Sequence, residues 1–334
     1  MIMRTHSMHR QRGAAILLAM LIVTLVATMA AGMVWMEWRG IEVESAERAR
    51  SQGEWLLNGA LDWARVILKS DARAGNGVDH LGEPWAMPLA ESRLSSFLSS
   101  DENHADDSGP DAFLSGQITD ANARYNLTNL IRSKDGQSGR SELAKLQVLC
   151  ASLGVPAGVA EKIFAGLGQS WSAVQSLGDD VGQKDASNSL LLPTEVSQLA
   201  WYGIDPKVIQ QLEPFVIFLP GISKVNVNTA SVEVLMAAIP GIGRGGAQAI
   251  VDRRAQKPFS DIKDAEKVAN YQPPATAANV PQPIVNIDVK SDYFEVVGQL
   301  RYEQHVLRER SLVHRVGLSE VDVVRRVRLP PDAS

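Results

Sequence analysis

The sequence predicts an α+β fold in which a long N-terminal helix packs on an antiparallel sheet, with a large all-α domain inserted into that sheet. Three observations predict it: an uninterrupted apolar run near the N-terminus, short segments of helical periodicity in the middle, and alternation of apolar and charged residues near the C-terminus. The 334 residues suffice for two or three domains, and a composition that is 45% hydrophobic and 21% charged excludes a disordered chain.

Charge and cysteine content narrow the function classes. The formal net charge of −5 excludes a strongly basic, phosphate-neutralising surface over the whole chain. Cys150 is the single cysteine, so neither an intrachain disulfide nor a multi-thiolate metal site can form, and we expect a buried structural thiol. The histidines are scattered without metal-ligand spacing. From these features we expect that the protein is not an enzyme.

The N-terminus predicts a membrane anchor. Residues 1–13 carry three arginines and no acid, and residues 14–36 contain no ionisable side chain. As a helix, this apolar run would be about 35 Å long, enough to cross a hydrocarbon layer of about 30 Å. The arginines before it and the acids after it predict a cytoplasmic N-terminus and a bulk on the far side, where Trp35 and Trp38 would lie at the interface.

The start of the apolar run distinguishes two kinds of leader. A cleaved secretory signal normally has a shorter apolar region that ends in a small-x-small cleavage site. Here the small residue, Gly13, precedes the run. A basic leader, a glycine and then an intact apolar helix resemble a type IV prepilin or pseudopilin. The resemblance implies that prepilin peptidase cuts between Gly13 and Ala14 and methylates the amine of Ala14.

Position 18 narrows the resemblance. Most members of that family have glutamate as the fifth mature residue, and this chain has Leu18 there. A buried carboxylate needs a partner in the apolar layer, and in pilins the partner is the terminal amine of the adjacent subunit. The missing glutamate and the Arg-Gly-Ala-Ala-Ile-Leu-Leu start are similar to the type II secretion minor pseudopilin K (GspK) family. That resemblance implies a subunit at the filament tip, on the periplasmic side of the inner membrane. It also implies its partners, which are minor pseudopilins I and J, the major pseudopilin and the inner-membrane assembly platform.

The segment after the anchor predicts a stalk helix and the first part of a pilin-like sheet. Apolar residues recur at helical spacing through residues 37–70, so we expect the helix to continue from Ala14 to Ser70. Residues 71–130 should form the first part of the sheet. The acids between Ser99 and Asp111 fall in adjacent pairs, which favours a solvated loop over a calcium loop.

A polar junction follows the predicted strand that starts at Phe113. Asp120, Arg124, Asn126 and Asn129 are hydrogen-bonding groups of the kind that fix a loop's backbone. They lack a nucleophile–base pair, so a structural role is the better interpretation. The segment also resembles the K family's junction between strand and helical domain.

Residues 131–284 are expected to form the inserted helical domain, of the helix-hairpin-helix or SAM-like kind. Its sharpest motif, within residues 221–268, resembles a helix-hairpin-helix. The residues that carry it are Asn226, Asn228, Thr229, Pro240, Gly241 and Gly243. Similar hairpins occur in membrane-anchored competence receptors that bind DNA, which is the alternative function. The net charge of this segment is +2, small for several phosphate contacts, so we do not expect nucleic acid as a partner.

The tail, residues 285–334, predicts the last part of the sheet as an antiparallel meander. Apolar residues from Phe294 to Tyr302 alternate with polar ones, and the arginines interleave with acids. We expect those arginines on a solvated outer face. They are Arg301, Arg308, Arg310, Arg315, Arg325, Arg326 and Arg328.

Calcium enters only through the resemblance. The K family's helical domain is associated with calcium and usually carries an acid-tryptophan-x-acid stretch, whereas residues 168–172 here read Gly-Gln-Ser-Trp-Ser. The nearby Asp179, Asp180 and Asp185 are too few to bind calcium without other oxygens. We therefore assign no cofactor and no metal ligand.

Overall fold

A computed structural model of the chain describes residues 12–74, 77–93, 112–132, 136–178, 191–270, 286–302 and 305–330. Most of the predicted leader, the acidic stretch up to Asp111 and the aspartates at 179, 180 and 185 lie outside the described residues. The chain divides into two compact units, residues 1–56 and 57–334. Each unit is described by itself below.

The first unit is helical. Helix α1 begins at Arg12 and ends at Ala74, so its first part forms this unit and its last part belongs to the second. From Ala14 to Arg48 every side chain is exposed, and the helix is long and apolar enough to cross a membrane. Within the apolar run, the hydroxyls of Thr24 and Thr28 donate to the carbonyls three residues back. Their polar groups are therefore satisfied inside the helix.

The second unit contains a five-stranded antiparallel sheet. Its strands are β1 (Leu89–Arg93), β2 (Ala112–Asp120), β7 (Tyr293–Tyr302), β8 (His305–Val316) and β9 (Glu320–Leu329), and they lie side by side in this order. The strands numbered in between belong to the insertion described below. Because β2 pairs directly with β7, the chain between them forms an insertion, as predicted. The meander of β7, β8 and β9 is confirmed.

The last part of α1 packs on one face of this sheet. Leu61, Ala64 and Leu68 are buried there against Phe294 and Val313. The Trp85 ring meets the Phe294 ring edge-on, with 5.2 Å between their centroids. Gly298 permits the close approach, because a Cβ at this position would lie 3.3 Å from Cδ2 of Leu57. The pattern of small and large residues in β7 thus fits the helix that covers it.

The inserted domain is mainly helical. Its helices are α2 (Asn129–Arg132), α3 (Gly136–Ser152), α4 (Val159–Gly178), α5 (Pro206–Leu212), α6 (Val232–Ala238), α7 (Gly243–Gln256) and α8 (Ile262–Val268). It is not wholly α, however, because it also holds two pairs of two-residue parallel strands. These are β3 (Tyr125–Asn126) with β4 (Val216–Ile217), and β5 (Val225–Asn226) with β6 (Ile287–Asp288). One apolar core spans both halves of the domain.

The sequence predicted that one face of the meander is solvated and carries the arginines, and the structure contradicts this prediction at Leu312 and at Arg315. In β8, Val313 faces α1 whereas its neighbour Leu312 packs with Ile217 and Leu219 of the inserted domain, so both faces are covered here. Arg315 lies two residues beyond Val313 and therefore on the α1 side. Its side chain is only 10% exposed, whereas the sequence predicted an outer position. The alternation of residues along a strand shows which of them share a face, but it does not show which face a distant domain covers.

Candidate functional site: the polar junction and the anchor

The junction is built around Asp120, at the end of β2. Its Oδ1 accepts from the backbone N–H of Asn122 at 2.7 Å. Its Oδ2 accepts from the hydroxyls of Thr229 at 2.5 Å and Ser291 at 2.6 Å, and from Nδ2 of Asn226 at 3.1 Å. Burial raises the pKa of Asp120 to about 6, although these hydrogen bonds oppose the rise. One carboxylate therefore joins the sheet to the second half of the inserted domain.

Asn226 lies beside Asp120 in the same junction. Its Nδ2 also contacts the carbonyl of Asp79 at 3.0 Å and the hydroxyl of Ser291 at 2.8 Å, while its Oδ1 accepts from the N–H of Asn228 at 2.9 Å. Asn228 in turn exchanges two hydrogen bonds with the backbone of Phe259. The asparagines thus fix the entry to the hairpin and its far end together.

Asn126 and Asn129 do the same at the first half of the domain. Oδ1 of Asn126 accepts from the N–H groups of Thr128 and Leu219, and its Nδ2 donates to the carbonyl of Gly221 at 2.7 Å. Asn129 exchanges hydrogen bonds with the backbone of Ser223 at 2.9 and 3.1 Å. The chain that links the two halves is therefore held by side-chain amides, which a search for catalytic groups would pass over.

Arg124 forms an ion pair with the sheet. One guanidinium nitrogen lies 2.5 Å from Oε2 of Glu295, and both side chains are mostly buried. Arg310 approaches Glu295 and Glu213 at 4.0 and 3.9 Å, so the contact between sheet and inserted domain alternates positive and negative groups. Arg325 completes the network by approaching Glu195 at 3.8 Å. The sequence indicated Arg124, but the residue it pairs with lies far along the chain.

The hairpin has the predicted turn. Gly241 and Gly243 have φ of +81° and +64°, which only glycine adopts without strain, and α6 and α7 meet at 119° after Pro240. Two of the motif's arginines are used internally, since Arg244 pairs with Glu233 at 3.3 Å and Arg254 donates to the carbonyl of Val227 at 2.7 Å. Burial lowers the pKa of Arg254 to about 10. These contacts hold the hairpin's own shape.

A buried charged cluster near the junction was not predicted. Carboxylate oxygens of Asp71, Asp79 and Glu83 lie within 4.8 Å of one another. The guanidinium of Arg315 lies 2.5 Å from Asp79 and 3.1 Å from Asp71. Burial, followed by the charges of Glu83 and Asp79, raises the pKa of Asp71 to about 6. The four residues belong to three separate segments, and no local sequence pattern unites them.

The stretch that would correspond to a calcium site does not fit that ion. Residues 168–172 lie within the regular helix α4 and contain no carboxylate. The hydroxyl of Ser170 lies 2.8 Å from that of Tyr202 and donates to the carbonyl of Gly166 at 3.0 Å. Calcium prefers several carboxylate and carbonyl oxygens from an irregular loop. This stretch instead packs the inserted domain.

The interior of the domain holds the single cysteine. Cys150 on α3 is buried, as expected, and burial raises the pKa of its thiol to about 11. On the same helix, Glu142 accepts from the hydroxyl of Tyr125 at 2.7 Å and from the ammonium of Lys145 at 2.6 Å. Both features lie in the core and stabilise the fold.

The predicted processing residues lie at the start of α1. Gly13 and Ala14 are within the helix, and Leu18 is 61% exposed on it. At the other end of the apolar run, the guanidinium of Arg39 lies over the Trp35 ring at 4.8 Å. The anchor thus presents apolar side chains along its length and a polar–aromatic boundary where it ends.

Comparison with known families agrees with this architecture. Two family models, both described as type II secretion system (T2SS) protein K, match residues 123–221 and 225–283. The boundary between them falls between the strand pair β3–β4 and strand β5. The two matches therefore coincide with the two halves of the inserted domain.

Relatives extend the match beyond that domain. Type II secretion system protein K of Pseudomonas aeruginosa is 28% identical over 305 residues, covering 87% of this chain and 84% of its own. The protein K of Pectobacterium carotovorum is 27% identical, covering 95% and 96%. That of Klebsiella pneumoniae is 25% identical, covering 95% and 97%. The similarity thus includes the anchor, the sheet and the insertion.

A solved structure shares the fold. It is the crystal structure of the GspK-GspI-GspJ complex from enterotoxigenic Escherichia coli, whose matching chain has a TM-score of 0.56 and 18% identity. The match covers 86% of this chain and 99% of that one. Through its two family-model matches and along nearly the whole length of these relatives, this chain is therefore similar to protein K of the type II secretion system.

Proposed function

We propose that the chain is a minor pseudopilin of the type II secretion system, placed at the tip of a periplasmic pseudopilus that supports protein export across the outer membrane. The observation that carries the proposal is the exposed, uncharged anchor helix from Ala14 to Met36, which precedes a sheet with a large helical insertion. Its role is assembly, through packing of helices and domains, and we propose no catalytic step.

The missing carboxylate supports the terminal position. Leu18 has no charge, so this subunit needs no terminal amine from a subunit above it to neutralise a carboxylate in the apolar layer. The inserted domain supports the same position, because its bulk would obstruct a close-packed helical shaft. The chain would therefore be the last subunit at one end.

Its partners follow from the same role. The solved relative is a complex of GspK with GspI and GspJ, and we propose that this chain assembles with minor pseudopilins of types I and J. The major pseudopilin, the inner-membrane assembly platform and prepilin peptidase complete the proposed set. The anchor would cross the inner membrane once, with residues 1–13 in the cytoplasm and the bulk in the periplasm.

Intact-mass analysis of the chain from membranes with and without prepilin peptidase tests the class. We expect a mature chain that begins at methylated Ala14 only when the peptidase is present. Gly13→Val should block the cut, whereas Gly32→Val should not, because position 32 is distant from the predicted cut. A Cβ added at position 32 of the same helix meets nothing within 4 Å. An uncut wild-type chain, or loss of the whole apolar run, would contradict the proposal.

A second experiment tests the tip position. In purified pseudopili, an epitope label on wild-type chains should be found at one end only. Leu18→Glu should move some label into the shaft, since the new carboxylate can pair with a neighbour's amine. Leu17→Glu places the same charge one position away, and we expect it to reduce membrane insertion without moving the label. Wild-type label along the shaft would contradict the terminal position.

A further inference from the structure

We propose that Asp71, Asp79, Glu83 and Arg315 form a clasp that holds the end of α1 to the sheet and that tightens when the cluster takes up a proton. The cluster adjoins the asparagine network, since the carbonyl of Asp79 accepts from Nδ2 of Asn226, but its charged side chains are separate from that network. The inference does not depend on pseudopilus assembly.

The clasp joins segments that are otherwise far apart in the chain. Asp71 belongs to the last turn of α1, Asp79 and Glu83 to the segment after it, and Arg315 to β8. Oδ2 of Asp79 accepts from the N–H of Ser291, just before β7, at 2.8 Å. Arg315 donates to the carbonyl of Ser291 at 2.8 Å, so the same short segment is held from both sides. Helix α1, the loop after it, the segment before β7 and strand β8 thus meet at one guanidinium.

The charges within the clasp do not balance. Three carboxylates and one guanidinium give a net charge of −2 when all are ionised. The side chains of Asp71, Asp79 and Arg315 are 9%, 2% and 10% exposed, so water screens this excess poorly. The guanidinium carbon of Arg315 also lies over the Phe294 ring, 4.8 Å from its centroid, so the guanidinium packs against the apolar core. The excess negative charge can be relieved by a proton without moving Arg315.

Asp71 is the group that takes the proton. The charged groups that face it are Asp79 and Glu83 from the loop and Arg315 from β8. Arg315 favours the ionised form of Asp71, but burial and the two acids outweigh it, and the pKa of Asp71 rises to about 6. Glu83 is also held in place, because it accepts from the N–H of His80 and the indole N–H of Trp85. His80 lies 3.9 Å from Glu83 and faces the cluster from its outer side.

The sign of the effect follows from linkage. A carboxyl whose pKa is 3.8 in the open state and about 6 in the closed clasp binds its proton more tightly when the clasp is closed. Proton uptake then favours closure as the pH falls from 7.5 to 5.0. With these pKa values the equilibrium for local opening falls about tenfold over that range.

Hydrogen exchange of the full chain in detergent, measured by mass spectrometry at the last two turns of α1, tests the clasp. Asp71→Asn mimics the protonated carboxyl. We expect the wild-type rate divided by the Asp71→Asn rate to fall about tenfold between pH 7.5 and pH 5.0, because the variant has no proton to take up. Taking this ratio at each pH removes the intrinsic pH dependence of exchange. Glu47→Gln neutralises an exposed acid of the same helix and serves as the control. The wild-type rate divided by the Glu47→Gln rate should not change with pH.

A further variant keeps the test decisive if Asp71→Asn disturbs the fold. Glu83→Gln removes one of the acids that raise the pKa of Asp71. The midpoint of the exchange rate against pH should therefore lie at a lower pH in this variant than in the wild type. A wild-type to Asp71→Asn ratio that is the same at both pH values, or an unmoved midpoint in Glu83→Gln, would overturn the proposal.

Discussion

Asn126 and Asn226 occupy equivalent places in the two halves of the inserted domain. Each is the second residue of a two-residue strand that pairs in parallel with a later strand, and each accepts from the N–H two residues ahead, at 3.0 and 2.9 Å. Each Nδ2 also reaches a serine hydroxyl, that of Ser223 at 3.0 Å or that of Ser291 at 2.8 Å. One structural device is therefore used twice. At the second position its amide also contacts Asp120.

Asp120→Ala should destabilise the chain strongly. The substitution removes the carboxylate that accepts from the N–H of Asn122 and the hydroxyls of Thr229 and Ser291, and each buried donor left unmatched costs about 1–3 kcal/mol. We expect the free energy of unfolding to fall by about 3 kcal/mol or more, measured by urea denaturation of the full chain with tryptophan fluorescence. Asp205→Ala removes an exposed acid that caps α5 through one N–H, and should cost about 1 kcal/mol. Equal losses for the two variants would show that Asp120 is not the centre of the junction.

The Arg124–Glu295 pair should show coupling in a double-mutant cycle. Because the side chains are 18% and 11% exposed, we expect a coupling energy of about 1–3 kcal/mol from urea denaturation of both single alanine variants and the double variant. The Arg48–Glu44 pair on α1 is 74% and 63% exposed and should couple by less than about 0.5 kcal/mol. A coupling energy near zero at Arg124–Glu295 would mean that Arg310, 4.0 Å from Glu295, compensates for the loss.

Gly166→Ala should disturb the packing of α4. An added Cβ would lie 2.6 Å from Cγ of Tyr202, and the ring is held in place by the contact of its hydroxyl with Ser170. We expect a loss of about 1–3 kcal/mol in thermal or urea unfolding, because the overpacking exceeds the gain from removing a helical glycine.

Gly168→Ala is the matched control on the same helix. Its Cβ meets nothing within 4 Å, so alanine should be neutral or stabilising by up to about 1 kcal/mol. If both glycine variants gained stability, the close contact between α4 and Tyr202 would be contradicted.

The thiol of Cys150 should react slowly in the folded chain. Its pKa of about 11, raised from 9.0 by burial, reduces the thiolate fraction at pH 8 by about 100-fold. We expect alkylation by iodoacetamide, followed by intact mass, to be at least that much slower in the native chain than in urea. Since the chain has a single cysteine, one added label in urea provides the internal control. Rapid native labelling would show that α3 does not bury the thiol.

The anchor and the junction residues were predictable because local sequence specifies them. An apolar run without ionisable groups predicts a spanning helix whatever surrounds it, and short polar side chains after a strand indicate a fixed turn. The hairpin was predictable for the same reason, since Gly241 and Gly243 occupy left-handed backbone positions.

The partners of these residues were not predictable. Asp120 is held by Thr229 and Ser291, which lie more than 100 residues away. Arg315 was expected outside because alternation with acids in β8 resembles a solvated face, but its parity with Val313 turns it toward α1. A single sequence shows which residues of a strand share a face, whereas tertiary packing decides which element covers that face.

The pairing of Asp120 with Phe294 has a consequence for how such a chain can be altered. The residues that begin and end the insertion are directly opposite each other on adjacent antiparallel strands. A short reverse turn could therefore replace the whole helical module while leaving the strands of the sheet in register. Evolution and protein engineering can in this way exchange the inserted domain while keeping the same helix and sheet.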